Sequence, residues 1–409
     1  TAGAATSSTE VAISSDAMES VSGTGYDVAI DTDVATVTVS DAAWDQITEN
    51  AQGQDVTIAV AKEGTDANPV YVLTAEAGGE EVFSSEKAAG TITISVKAAA
   101  STNQIYYIRE DGSLQDMNAQ YDAKEGTLTW EVTHFSGYGE GSGKVGLVED
   151  STISFYDTVS AAISAMKTAS GTITLLDNVT ENVTIPADKT IRLELNGKTL
   201  TNATKAHTIT VAYGGKLTVQ DTVGGGIVDN VSHGCAAIWN NGTAVLNGGK
   251  YDRSKENGGS SSDAGGNSYY VLVNHGEMKI NDGVTVEQNG HYSSMIENGY
   301  YSYNSKNPSS GYVPDTNAEY PSLTINGGSF SGGLNTVKND DGGKLEIKGG
   351  TFSNVSQAVV LNWNEAEISG GTFTVNEENV ESVILNGYAD SAIDTGKPVS
   401  YTHLTLPTI

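Results

Sequence analysis

The sequence predicts a mainly β protein: a parallel β-helix over residues 151–398, preceded by a smaller β-rich domain over 10–139. Three observations predict it. Near-identical segments recur late in the chain, at offsets of 22 and 21 residues: Ile325-Asn326-Gly327-Gly328-Ser329-Phe330, Ile347-Lys348-Gly349-Gly350-Thr351-Phe352 and Ile368-Ser369-Gly370-Gly371-Thr372-Phe373. A second series runs in the same order, an apolar pair followed by Asn, at Asn240, Asn274, Asn298, Asn339, Asn362 and Asn386. In two of these pairs Glu297 and Lys338 replace one apolar member. Finally, a period near 22 built of short alternating runs fits one coil of a solenoid, not a helical repeat.

Taken from the start, Thr1 to Thr9 is small and polar and reads as a linker. Residues 10–60 hold an internal repeat at an offset of 26. Val11-Ala12-Ile13-Ser14 matches Val37-Thr38-Val39-Ser40, and Ala17, Met18 and Val21 match Ala43, Trp44 and Ile47. Each copy predicts strand, short helix, strand, the second strands being Val28 to Ile30 and Val56 to Ile58. Short β segments continue to residue 139. Gly139, Gly141, Gly143 and Gly146 mark a linker over 140–150. Val159, Ala162, Ile163 and Met166 share one helical face, which predicts a short helix capping the open end of the solenoid.

Weaker copies of the late repeat begin near 195, 219, 246 and 280, which predicts seven to eight coils. At a strand spacing of about 4.8 Å, seven coils make a rod roughly 35 Å long. The glycine pairs suit turns with positive φ. The Asn series suits corners where a short amide tolerates the left-handed region and bonds its neighbour in the next coil. Two offsets are long, 34 and 45, and predict loops leaving the rod near 252–268 and 299–320. Residues 399–409 break the repeat. They resemble the translated adapter tail that ends some metagenomic gene assemblies, and so predict a non-native tail on a fragment.

Two resemblances follow. Ile105 to Ile108, Asp111-Gly112, Tyr121-Asp122, Gly126 to Thr129 and His134-Phe135-Ser136, with Tyr138 after them, resemble a β-rich module of surface and S-layer-associated proteins of Gram-positive bacteria. Residues 151–395, opening on Asp177 to Thr180 and Leu195 to Leu200, resemble the pectate-lyase-like right-handed β-helices of bacterial adhesins. These resemblances imply an extracellular, cell-surface or cell-wall location. They are strong for fold and weak for activity, since that superfamily spans enzymes, adhesins and spacers.

Composition narrows the function. The net charge is -30, and 25 acidic against 6 basic residues lie in 1–150. That argues against nucleic acid and polyanionic partners. Cys235 is the single cysteine, which rules out an intrachain disulfide and cysteine metal clusters. No apolar run reaches membrane-spanning length, so no membrane insertion is expected. No cofactor or metal is expected, and the chain is expected to be monomeric. Asn339 to Gly343 reads as a polar turn, not a calcium loop.

Nine of the 19 tyrosines lie in 251–320, and tyrosine suits stacking on sugars or a protein partner. Tyr300, Tyr301 and Tyr303 lead the candidate ligand-binding residues, with Tyr292, Tyr312 and Tyr270. For catalysis, Asp221, Asp229, His233, His275 and His291 are available, but no carboxylate pair recurs on adjacent coils. Of three arginines, only Arg192 and Arg253 lie in the repeat region. The sequence therefore favours an adhesin or binding stalk recognising a glycan or a host or community surface protein. A structural spacer without ligand stands second, and a polysaccharide lyase or hydrolase third.

Overall fold

The computed structural model describes residues 7–83, 89–150, 152–255, 269–289, 293–300, 321–340, 342–354, 357–375, 382–386 and 400–401. It is mainly β and divides into two compact units, Thr1–Asp157 and Thr158–Ile409. No helix among the described residues is long and apolar enough to cross a membrane.

The first unit follows from its 26-residue repeat. Ser14 and Ser40, one repeat apart, both sit in extended backbone and accept from the backbone N–H three residues on. Each thereby starts a helix, Ser15–Val21 and Asp41–Ala51. The strands pair crosswise between copies: Ser7–Ile13 with Val56–Gly64, and Val28–Asp31 with Ala35–Val39, both antiparallel. The two helices are tied where the repeats correspond, because Trp44 Nε1 donates to Met18 O at 3.1 Å. Alternation along Ala35–Val39, Ile92–Lys97 and Thr127–Val132 buries one face of each strand in a common core with Tyr71, Phe83 and Trp130.

Both expected linkers hold strands among their described residues. Ser7 to Thr9 already pairs in the first strand. Gly137–Gly141 pairs with Pro69–Ala77 on one side and Gln104–Ile108 on the other. Val145–Glu149 forms a hairpin with Thr152–Tyr156. Glycine is needed there for close packing, not for flexibility: a Cβ on Gly141 would fall 2.1 Å from the Phe155 ring. The fixed point of that strand is Glu140, fully buried and accepting from Tyr71 Oη (2.8 Å), Ala99 N (2.6 Å) and Asn103 Nδ2 (2.8 Å). Charge-assisted bonds of this kind are the strong ones. Glu140→Gln keeps the shape but turns an amide donor toward these donors. We expect it to cost about 2 kcal/mol in urea unfolding of the first unit.

The second unit begins with the helix Val159–Ala165, whose N-terminal N–H groups of Val159 and Ser160 are received by the buried Glu181 carboxylate. Thereafter the chain visits three sheets in rotation, and strands within a sheet are parallel. The first sheet runs from Ser170–Leu175 and Thr190–Glu194 to Lys344–Ile347 and Glu365–Ile368, and Ser400–Tyr401 adds to its end. The second sheet has eight strands, from Val179–Thr180 to Thr372–Thr374. The third also has eight, Val183–Ile185, Ile209–Val211, Ile238–Asn240, Leu272–Asn274, Ile296–Asn298, Asn335–Asn339, Ala358–Asn362 and Ser382–Asn386. Residues 179–185 supply a turn of the rotation ahead of the first copy read from sequence.

Like residues align from strand to strand. Leu193, Val219, Leu246, Ile280, Ile325, Ile347 and Ile368 form one buried column. Phe330, Phe352 and Phe373 form another, with centroids 4.7 and 4.9 Å apart and planes within 10°. The Asn series forms a continuous ladder. Each Nδ2 donates to the next Oδ1 from Asn240 through Asn274, Asn298, Asn339 and Asn362 to Asn386, at 2.7–2.8 Å. These asparagines end extended strands, and all but the last, Asn386, are fully buried. The left-handed backbone expected of them is not observed; it falls instead on glycines such as Gly328, Gly350 and Gly371.

Candidate functional site

The third sheet is where both insertions interrupt the rotation of strands. The chain reaches Leu272–Asn274 after the stretch around 256–268 and leaves Ile296–Asn298 into the stretch around 301–320. Both stretches lie outside the described residues. At the base of the first, Arg253 is fully buried. Its guanidinium donates to the carbonyls of Cys235 (2.8 Å), Tyr269 (2.8 Å) and Ser232 (3.2 Å), tying together the two ends of that insertion.

Beside this clamp lies a continuous aromatic and imidazole band. Tyr270 meets Tyr269 edge-on at 5.0 Å, and Tyr269 lies 6.4 Å from His207. His207 stacks on Trp239 at 4.5 Å and 26°. His275 meets the indole edge-on at 4.7 Å, and Tyr300 lies 5.0 Å from His275. His207, Trp239, Tyr269 and Tyr270 are half-buried, while His275 and Tyr300 are buried. Burial holds the His207 imidazole down to about 4. Burial, and then the nearby His207, holds His275 down to about 4 as well. Both rings are therefore neutral at pH 7. His207 Nδ1 accepts from the Ala236 N–H at 2.9 Å, which leaves its proton on Nε2.

Further along the same sheet the outward register runs Trp239, Val273, Glu297, Lys338, Leu361. Glu297 and Lys338 are the two polar replacements seen in the sequence, and they are nearly closed to solvent. Lys338 Nζ lies 2.7 Å from Asp340 Oδ2 and 4.1 Å from the centre of the Trp363 ring. The Glu297 carboxyl stands beside Asp340 and the Tyr270 hydroxyl. Burial, then the Asp340 charge, raises its pKa well above the usual carboxylate range and so favours its protonated form.

These placements bear on the candidates from sequence. Tyr270 belongs to the band. Tyr300 belongs to it too, but at 5% exposure it packs on His275 and is not an open platform. Tyr292, Tyr301, Tyr303 and Tyr312 lie outside the described residues. His207 and Trp239 lie outside the tyrosine-rich stretch: Trp239 sits on the third sheet in register with Thr210, and His207 lies two residues ahead of the strand Ile209–Val211, so no local pattern pairs them. Asp221 accepts from Gly197 N and Gly226 N, and Asp229 from Ser254, so both carboxylates hold backbone turns.

Contrary to expectation, a carboxyl pair does meet on adjacent coils, Glu297 and Asp340. At 1% and 0% exposure it is closed to a substrate. The chain does turn after Asn339, where Gly343 N donates to the Asp340 carbonyl at 3.0 Å, and the Asp340 side chain is buried in an ion pair. Among the described residues no group of three His, Cys, Asp or Glu is placed to hold a metal ion.

The second sheet carries a shallow depression of about 430 Å³ beside Gly224, Gly225, Lys250 and Glu287. Its lysine is already engaged by Asp252 and Glu287, and no aromatic ring lines it. The third-sheet band is therefore the stronger candidate. Compared with known proteins, the chain matches no family, no curated protein and no solved structure.

Proposed function

We propose that this chain is part of an extracellular bacterial surface protein, a binding stalk of the adhesin type. Its second unit is a right-handed parallel β-helix that presents a recognition surface on the third sheet. Parallel strands joined by crossovers within one sheet are right-handed in nearly all proteins, which supports the hand. The ligand is a glycan, or a surface protein bearing one.

One observation carries the reading: the half-buried rings His207, Tyr269 and Tyr270 gather beside Trp239 of the third sheet, the sheet that both insertions flank. The outward positions of the first sheet are instead dominated by Lys, Glu, Thr and Ser, such as Lys216, Thr243, Glu277, Ser322 and Lys344. A spacer has no need of that asymmetry. Flat rings beside neutral imidazoles suit the apolar faces and hydroxyls of neutral sugars, and the charge of -30 disfavours acidic ones.

A glycan array with the full chain tests this. Binding is expected, and Trp239→Ala with Tyr270→Ala should weaken it at least about tenfold, as loss of an aromatic anchor does. A Tyr301→Ala/Tyr303→Ala variant tests the second insertion separately. Binding untouched by all four changes removes the third sheet as the site, and no binding to any glycan removes the glycan reading.

A further inference from the structure

The Lys338–Asp340 pair is unlike the other lysine–carboxylate pairs of the second unit. In those, among the described residues, the lysine side chain is 34–50% exposed. Here the two side chains are 7% and 0% exposed and 2.7 Å apart. Lys338 lies on the strand Asn335–Asn339 and Asp340 is the residue just past its end, and a third buried carboxyl, Glu297, stands on the neighbouring strand in direct register with Lys338. The Trp363 ring covers Nζ. Two opposite charges held out of water are costly, and a reaction that turns them into a neutral group and releases water relieves that cost.

We propose that Lys338 and Asp340 form an intramolecular isopeptide bond, with the Glu297 carboxyl relaying protons. The ammonium first passes one proton to the Asp340 carboxylate, giving an amine and a carboxylic acid. The Nζ lone pair attacks Cγ of Asp340 and forms the C–N bond. Glu297 gives its proton to the departing hydroxyl as the C–O bond breaks, and takes one back from nitrogen. An ammonium and a carboxylate thus become an amide and one water, with no oxidant, reductant or cofactor, and Glu297 ends as it began. Burial and the nearby Asp340 charge favour the protonated Glu297 carboxyl that this step needs. The chain has one cysteine and so cannot staple itself by an intrachain disulfide; this bond is a covalent fastening that needs none.

The test is the intact mass of the folded full chain after prolonged incubation at neutral pH. The wild type is expected to be lighter than its sequence by one water. After unfolding, Lys338 should resist amine acylation, and fragment spectra should place the link between Lys338 and Asp340. Lys338→Arg and Glu297→Gln should show the full sequence mass. In Asp340→Asn the same amide forms with loss of ammonia, giving the wild-type mass. A wild type at full sequence mass with Lys338 open to acylation overturns the proposal, whatever the variants do. So does a water deficit that survives in Lys338→Arg, which would mark a succinimide at Asp341-Gly342. A deficit retained in Glu297→Gln overturns the relay.

Discussion

Replacing Asn298 with alanine is expected to lower the stability of the second unit by about 3–5 kcal/mol, a large part of what holds a domain folded. Asn298 sits in mid-ladder and is fully buried. Its Nδ2 donates to Asn339 Oδ1 at 2.8 Å and to the Lys344 carbonyl at 3.0 Å, and its Oδ1 accepts from Asn274 at 2.8 Å. Alanine breaks all three bonds where water cannot replace them, and buried polar groups stripped of partners are the expensive case. The control is Asn281→Ala. Asn281 also links like residues on neighbouring coils, to Asn247 and Asn326 at 2.7 Å, but in exposed bonds. There water takes over, and a loss below about 1 kcal/mol is expected. Urea midpoints of the two variants decide the matter: equal losses would mean that the buried ladder is not what fastens the parallel sheets.

Phe352→Ala is expected to cost about 3–5 kcal/mol by opening a cavity in the core. Phe352 is the middle ring of three, 2% exposed, stacked at 4.7 Å on Phe330 and 4.9 Å on Phe373. Those separations equal the spacing of strands in a sheet, so the backbone ladder sets the stacking distance. Gly350 completes the arrangement. It has φ 103°, and a Cβ there would lie 3.2 Å from both the Phe330 and Phe352 rings. Phe352→Leu refills most of the volume and should cost about 1–2 kcal/mol. If alanine and leucine behave alike, the stack contributes bulk that neighbours replace. If alanine alone is severe, ring volume is what the coil requires.

The fold was legible wherever one residue type had to repeat to satisfy one geometry. The Gly-Gly-x-Phe turns and the Asn series are such places, because a buried amide or a stacked ring has its best partner in a copy of itself one coil on. The 26-residue repeat showed through Ser14 and Ser40 for the same reason, since each caps a helix in the same way. The strand Gly137–Gly141 was not legible: its glycines are demanded by Ile153 and Phe155, residues later in the chain that no local pattern reveals. The aromatic band was half legible. Tyrosine density pointed to the right stretch, but His207 and Trp239 join it only through coil stacking. The buried Glu297–Lys338–Asp340 group was visible as two polar residues in an apolar register, and its meaning needed the third dimension.

The matched columns also make the parallel sheets countable in whole periods. Leu323, Ile325 and Phe330 face Leu345, Ile347 and Phe352, and Ile347 and Phe352 in turn face Ile368 and Phe373. Excising or duplicating one such period leaves every column with the same kind of neighbour above and below. A cut of any other size shifts Asn out of line with Asn and ring out of line with ring. A gene encoding these sheets can therefore gain or lose whole periods by unequal recombination while the register of every column is kept.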